Sequence, residues 1–416
     1  MKRLIPDSLR GLSPDAFLLF LSRFTRLFAY GSLSVILVFY LVTLGLSEGQ
    51  VGILLTLTLA GDLVISLMLT TRADSFGRKR MLIIGAALMA AAGVAFASTK
   101  NPFFLLVAGT IGVISPSGNE VGPFLSIEQA ALSHVVSQGS RTEVFAWHTL
   151  TGSLATALGA LCGGTAVQLL QKVSVSKMES YRAVVFLYAV LGLVLASLFM
   201  RLSSAAEVAV PDSQYPLSSF MGVGQSRGVV LKLSTLFALD SFAGGFVIQS
   251  FAAYWFYLRF GVAPAKLGLI FFWANVFAGV SALLASRLAA RFGLVRTMVF
   301  THLPSNILLI LVPLMPNLSL AVLLLLTRFS ISQMDVPTRQ SYLMAVVQPA
   351  ERSSAGGIAG AARTAGAAIS PLFAGFLFSR PSLIDIPFFV AGALKILYDI
   401  ELYRQFVALR PPEEAD

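Results

Sequence analysis

The chain has one cysteine, Cys162, and three histidines, His134, His148 and His302, in 416 residues. A single thiol excludes an intrachain disulfide and a thiolate metal cluster. The histidines do not show ligand spacing, so no metal and no cofactor is expected. Charge is also scarce: Asp, Glu, Lys and Arg make up 12%, against roughly 25% in a soluble domain. So few charges cannot cover a water-facing surface. The net charge of +10 is spread along the chain rather than gathered in a tail or stripe, which excludes the usual footprint of nucleic-acid binding. The N-terminal stretch, residues 1–17, is charged and then polar, without a small-residue cleavage site, so the first apolar run is expected to be a true span.

What is abundant is apolar: 56% hydrophobic residues, with 34 glycines and 32 phenylalanines, and a mean hydropathy of +0.81. A bilayer core needs about 20 apolar residues per helix. Runs of that length recur at 18–44, 49–71, 81–99, 103–127, 143–168, 181–201, 230–258, 265–286, 297–315, 319–345, 353–378 and 386–408. The expectation is an all-α membrane protein of twelve spans. With the N-terminus placed in the cytoplasm and span-end residues counted with the side they flank, 17 Lys and Arg residues fall on the cytoplasmic side, 7 on the other and 6 deeper within spans. That asymmetry predicts both termini in the cytoplasm.

The longest loop, 202–229, carries Pro211, Pro216 and several serines and reads as a linker. It separates an N-terminal six-helix bundle, 1–201, from a C-terminal one, 230–416, with a short tail. The halves repeat. At an offset of 211, Gln129 meets Gln340, Leu132 meets Leu343, Val135–Val136 meets Val346–Val347, Arg141 meets Arg352 and Gly164 meets Gly375. At 216, Phe76–Gly77 meets Phe292–Gly293 and Arg80 meets Arg296. Parallel repeats of this kind build one large class of transporter, with the site between the halves.

Ionisable residues deep in a span are costly and mark function. Asp62, Glu120, Asp240, Arg328 and Arg363 fall at mid-depth, Arg23 and Arg26 in the first span, and Asp335 and Arg339 at i,i+4 spacing in the tenth. Structural salt bridges, Asp335 with Arg339 or Arg363 with Asp62, are the competing use of these charges. The fourth span holds Ser115-Pro-Ser-Gly-Asn-Glu-Val-Gly-Pro123, which breaks a helix twice, and Asn119 and Glu120 sit inside the break. Broken backbone at membrane depth is tolerated where it lines a cavity or is buried in protein. Tyr30, Gln249, Tyr254, Trp255, Trp273 and Asn275 could complete a pocket. No nucleophile–His–acid set and no phosphate-cradling loop occurs at these depths, so an enzyme is not expected.

Asp74-Ser75-Phe76-Gly77-Arg78-Lys79-Arg80, between spans two and three, resembles the signature loop of the major facilitator superfamily, Gly-x-x-x-Asp-Arg-x-Gly-Arg-Arg/Lys. Thr70 stands at the opening glycine and Ser75 at the first arginine. The second copy keeps Arg291, Gly293 and Arg296 but has Ala290 for the aspartate. The resemblance implies a cytoplasmic gate of Asp74, Gly77, Arg78 and Arg80, with Glu128 paired to the loop arginine and Asp74 set against the eleventh helix near Ser353. It also places Arg26, Glu120, Asp240 and Arg328 on cavity-lining helices. Gly159-Ala-Leu-Cys-Gly163-Gly164 is similar to the Gly-Pro-x-x-Gly-Gly core of drug-exporting antiporters, with Ala160 at the proline.

These readings lead to a secondary transporter that exports a small organic anion or zwitterion in exchange for protons by alternating access. Glu120, Asp240 and Asp62 are the expected proton carriers, because a carboxylate in a low-dielectric cavity can alternate between its two states. Arg26, Arg328, Asn119, Tyr30, Gln249 and Trp255 are the expected substrate contacts. The expected partners are the substrate, protons and the bilayer, with no nucleic acid. The chain is expected to be a monomer in a bacterial inner membrane. An importer or uniporter of an organic anion is the rival among transporters, and a receptor or assembly partner is the rival of another class.

Overall fold

The computed structural model describes residues 12–120, 122–136, 141–204, 207, 224–348 and 351–409. Fifteen α-helices and no strand occur among the described residues. In chain order they are α1 Pro14–Thr43, α2 Glu48–Phe76, α3 Arg78–Ser98, α4 Pro102–Ile111, α5 Phe124–Val135, α6 Arg141–Lys172, α7 Lys177–Met200 and α8 Arg227–Gly245. There follow α9 Gln249–Phe260, α10 Pro264–Phe292, α11 Leu294–Leu311, α12 Leu318–Ser332, α13 Asp335–Val346, α14 Arg352–Phe378 and α15 Ile386–Phe406.

Local chemistry sets several of these ends. Ser13 caps α1 by accepting from the Ala16 N–H at 3.2 Å, with Pro14 in the first turn. Asn101 does the same for α4 through the Phe103 N–H at 2.9 Å, and Ser176 for α7 through the Glu179 N–H at 3.2 Å. Gly77 (φ +99°) and Gly293 (φ +86°) turn the chain into α3 and α11 in a region closed to most L side chains. The repeat read from sequence is thus visible as one backbone device used twice. The C-terminal ends of α5 and α13 repeat too, each stopping at a valine followed by an extended valine, Val136 and Val347.

Among the described residues, ten helical stretches are long and apolar enough to cross a membrane. The two other expected spans fall outside that set for visible reasons. The fourth is divided into α4 and α5, and α15 carries Lys395, Asp399, Glu401 and Arg404. Two expected continuous spans are also interrupted, between Gly245 and Gln249 and between Ser332 and Asp335. Many large apolar side chains stand fully outward, among them Phe103, Phe186, Leu193, Phe300 and Phe376. In water such a surface would aggregate; on a membrane protein it meets lipid.

The chain divides into two compact units. One comprises Met1–Leu46, Gly61–Asp212 and Val262–Phe272; the other comprises Ser47–Ala60, Ser213–Gly261 and Trp273–Asp416. Segments 47–60 and 262–272 join the unit opposite to their place in sequence. Small residues explain this. A Cβ on Gly52 would lie 2.5 Å from the Pro371 carbonyl oxygen, and one on Gly268 would lie 2.6 Å from that of Ala160. Backbones can meet so closely only at glycine.

Within the first unit α1 packs on α6 and α7, and α3 on α7; within the second α8 packs on α14, and α11 on α15. The glycines of the 159–164 run serve this packing. Cβ atoms on Gly159 and Gly163 would meet the α1 backbone at Ser32, at 2.9 Å and 2.5 Å.

Candidate functional site

In the first unit the broken fourth span and α1 bring four charges together. The segment between α4 and α5 turns through Gly118 (φ +72°) and Gly122 (φ +79°). Ser115 donates to the Asn119 carbonyl at 2.7 Å, and Thr156 of α6 donates to the Gly118 carbonyl at 3.2 Å. The freed backbone groups therefore find partners in protein. This turn carries Glu120 to the α1 arginines: Arg23 Nη1 lies 2.9 Å from its carboxylate, and Arg26 donates from Nε and Nη2 at 3.1–3.2 Å.

Arg26, wholly buried, also grips Glu128 of α5 with both Nη atoms, at 2.6 and 2.9 Å. The planar fork of guanidinium suits such two-pronged binding. Ser22 adds a donor to Glu128 at 2.8 Å, and the Phe124 ring lies 4.7 Å beneath the guanidinium. Two cations and two carboxylates balance. Glu128 is wholly buried, while the Glu120 side chain is 18% exposed, so solvent reaches the cluster at Glu120.

The second unit holds a larger cluster. Asp240 of α8 sits between two cations, Lys395 Nζ at 2.5 Å and Arg339 Nη1 at 2.9 Å. Arg339 also lies 3.4 Å from Asp335. His302 of α11 approaches the Asp240 oxygen that Lys395 holds, its Nε2 at 3.7 Å from Oδ1. His302 Nδ1 is 2.8 Å from Asp399 of α15, which also accepts from Asn306 Nδ2 at 2.9 Å. Asp399 and Asn306 are wholly buried, and His302 nearly so.

The two clusters occupy equivalent places with opposite polarity. Gly31 and Gly245 are 214 residues apart and approach Thr156 and Ala367, which are 211 apart. The same offsets relate Arg26 to Asp240 and Glu128 to Arg339. The ion pair between the first and fifth helices of one half reappears between their counterparts in the other half, cation and anion exchanged.

The remaining expected residues are placed as follows. Glu128, expected beside the loop arginine, pairs instead with Arg26 and Ser22, because α5 points it at α1. Asp62, buried, accepts from Ser66 at 3.4 Å and from the Gly122 N–H. Arg363 belongs to the second unit and is exposed, while Asp62 belongs to the first. Tyr30 is wholly buried and stacked on Tyr188 at 6.2 Å. Asn119 is exposed. Gln249 accepts from Asn275 at 3.0 Å. Trp255 is wholly buried and donates to Asp385 at 2.8 Å, which fixes the ring against α15. Arg328 is 9% exposed, and its Nε has no hydrogen-bond partner among the described residues. In the loop, Arg78 is buried and Arg80 exposed, and the Asp74 side chain lies outside the described residues. The described carboxylate at that loop is Glu207 from the linker, which accepts from the Arg78 and Lys79 N–H groups at 2.7 and 3.0 Å. Glu351 does the same for α8, accepting from the Gly224, Gln225 and Ser226 N–H groups at 2.7–3.0 Å.

Sequence reasoning missed Lys395, Asp399, His302 and Asn306. The signal was present: two pairs at i,i+4 spacing, each placing polar groups on one face of an otherwise apolar span.

The Major Facilitator Superfamily model matches residues 19–258 and 233–416. The chain belongs to the major facilitator superfamily. The uncharacterized membrane protein YJR124C of Saccharomyces cerevisiae is 32% identical over 426 residues, covering 95% of each chain. Among solved structures, the nucleoside transporter NupG superposes with a TM-score of 0.72 at 14% identity, covering 95% of this chain and 99% of that one. A D-xylose-proton symporter superposes with 0.69 at 17%, covering 96% and 99%. At such identities the likeness is of fold alone. This superfamily fold is an all-helical membrane fold built from two repeated halves, and its members among these structures are transporters of small molecules.

Proposed function

We propose that this superfamily member is a proton-coupled secondary transporter that moves a small organic anion or zwitterion out of the cytoplasm by alternating access through twelve spans, with both termini in the cytoplasm. The observation that carries the reading is Glu120, a carboxylate on a broken span, reached by solvent on one side and by Arg23 and Arg26 on the other. A carboxylate whose charge is balanced by movable partners can give up that balance to a proton. Arg26 stays bound to Glu128, so a proton and the cationic group of a zwitterionic substrate compete for the Glu120 carboxylate, and Arg23 is left to meet the substrate's anionic group. Competition of proton and substrate for one carboxylate is the chemistry of antiport. The carboxylate Asp62 on the neighbouring α2, held by Ser66 and Gly122, supplies a second candidate carrier in this unit.

The test is Glu120→Gln in proteoliposomes, read by two assays side by side. The substrate is first found by thermal shift over a panel of metabolites and drugs, since binding raises apparent stability. Gradient-driven transport should be lost, and counterflow between equal pools kept. Survival of both assigns Glu120 to structure; loss of both assigns it to substrate binding.

A further inference from the structure

We propose that His302 and Asp399 together hold an exchangeable proton, forming a proton-binding site in the second unit distinct from Asp240. This rests on the transport reading above only for its use in coupling; the binding of the proton stands on geometry.

Charge balance makes the case. Asp240 and Asp335 face Arg339 and Lys395 at 2.5–3.4 Å, so two carboxylates meet two cations. Asp240 is thus held ionised and is a poor place to store a proton. Asp399 has no such partner among the described groups. It is wholly buried, and its partners are the Asn306 amide and His302. A buried carboxylate without a counter-charge is very costly. A proton shared with His302 removes that cost, either as a neutral acid beside imidazole or as carboxylate beside imidazolium. The 2.8 Å contact of Nδ1 and Oδ1 places one proton between them, which the Nδ1–H tautomer of neutral imidazole supplies; the exchangeable proton is the further one that cancels the Asp399 charge. A second proton on Nε2 would face Asp240 at 3.7 Å.

The groups around the pair come from every packed element: Asp240 of α8, Arg328 of α12, Asp335 and Arg339 of α13, Arg363 of α14, and Lys395 and Tyr398 of α15. Arg328 and Arg363 feel Asp240 and Asp335 but make no ion pair with Asp399. Tyr398 lies edge-on to the His302 ring at 5.8 Å.

The fold does not require this polar insertion. At the 216-residue offset, His302 and Asn306 correspond to Ala86 and Ala90, both buried in the first unit. The equivalent helix there packs with alanine. Polar groups that one half of a repeat manages without serve something other than packing.

Only three histidines occur in the chain, so ¹⁵N-histidine NMR of the purified full-length protein in nanodiscs can follow His302, assigned by its loss in His302→Gln. In the wild type, the His302 nitrogens should change protonation state as pH is varied over the range in which the protein stays folded. Asp399→Asn should move that transition by at least a pH unit, and Asp240→Asn should move it less. One neutral tautomer throughout in the wild type overturns the proposal, and so does a transition indifferent to Asp399→Asn. The wild-type titration needs no variant to fold. Transport separates the two readings. If the NMR transition is present but no wild-type transport responds to a pH gradient, the coupling reading fails and the proton site stands.

Discussion

Breaking the Arg26–Glu128 pair should be far more harmful than removing it. Both side chains are wholly buried and held by two hydrogen bonds, at 2.6 and 2.9 Å. Removing one partner of such a pair leaves an uncompensated charge and costs about 3–5 kcal/mol. Glu128→Gln belongs at the low end, about 3 kcal/mol, because Glu120 still meets Arg26 at 3.1 Å. That is about 100-fold in the unfolding equilibrium. Glu120→Gln should cost less, about 1–2 kcal/mol, since its side chain is 18% exposed and water can replace part of what is lost. The double variant Arg26→Met with Glu128→Leu removes both buried charges and leaves Arg23 facing Glu120 at 2.9 Å. It should return to within about 1 kcal/mol of wild type, because apolar replacement of a buried pair is often neutral. The assay is reversible unfolding in a bilayer by steric trapping, with all four proteins at one pH. A double variant no more stable than Glu128→Gln, or a Glu120 variant worse than the Glu128 variant, would refute the argument.

Other outcomes follow from particular residues. Gly77→Val and Gly293→Val each force a β-branched residue to positive φ; each should cost of order 1–3 kcal/mol in the same unfolding assay, and equal stability to wild type would contradict the turn. Gly31→Val pushes a side chain onto the Thr156 backbone and should destabilise by about 1–3 kcal/mol or more, which thermal unfolding would show. The backbone N–H groups ahead of α8 hold the Glu351 carboxyl below its ordinary range, Gly224 foremost. A folded pKa below the unfolded one adds stability that is present above the unfolded value and lost as pH falls through the folded one. The melting-temperature gap between wild type and Glu351→Gln should therefore be open at neutral pH and close in acid; a gap independent of pH would argue against the cap. Reporter fusions at Met1 and after Asp416 should both report cytoplasm, and opposite signals would remove the twelve-span reading.

The helices were legible because bilayer-length apolar runs leave little choice of structure, and the repeat was legible because turn glycines and helix-ending valines recur at fixed offsets. The break around Gly118 and Gly122 announced itself through proline and glycine. The interruption before Gln249 had a quieter signal in Gly244–Gly245, and the one at Gln333–Met334 had none, since neither residue favours a break. The charges in the clusters could be named from sequence, but not their partners. The resemblance pairs Glu128 with a loop arginine, and only the direction of α5 turns it to Arg26. Lys395 and Asp399 are ordinary i,i+4 residues until α11 and α8 supply His302 and Asp240. Partner choice depends on helix rotation, which a one-dimensional pattern does not carry.

Proton movement accompanying substrate movement tests the central claim most directly. Proteoliposomes holding a pH-sensitive dye and the purified wild-type protein are given an outward gradient of the compound found by thermal shift, with no imposed pH gradient. The account predicts protons moving against the substrate, seen as a change in luminal pH that Glu120→Gln abolishes. Substrate flux with no change in luminal pH would contradict it.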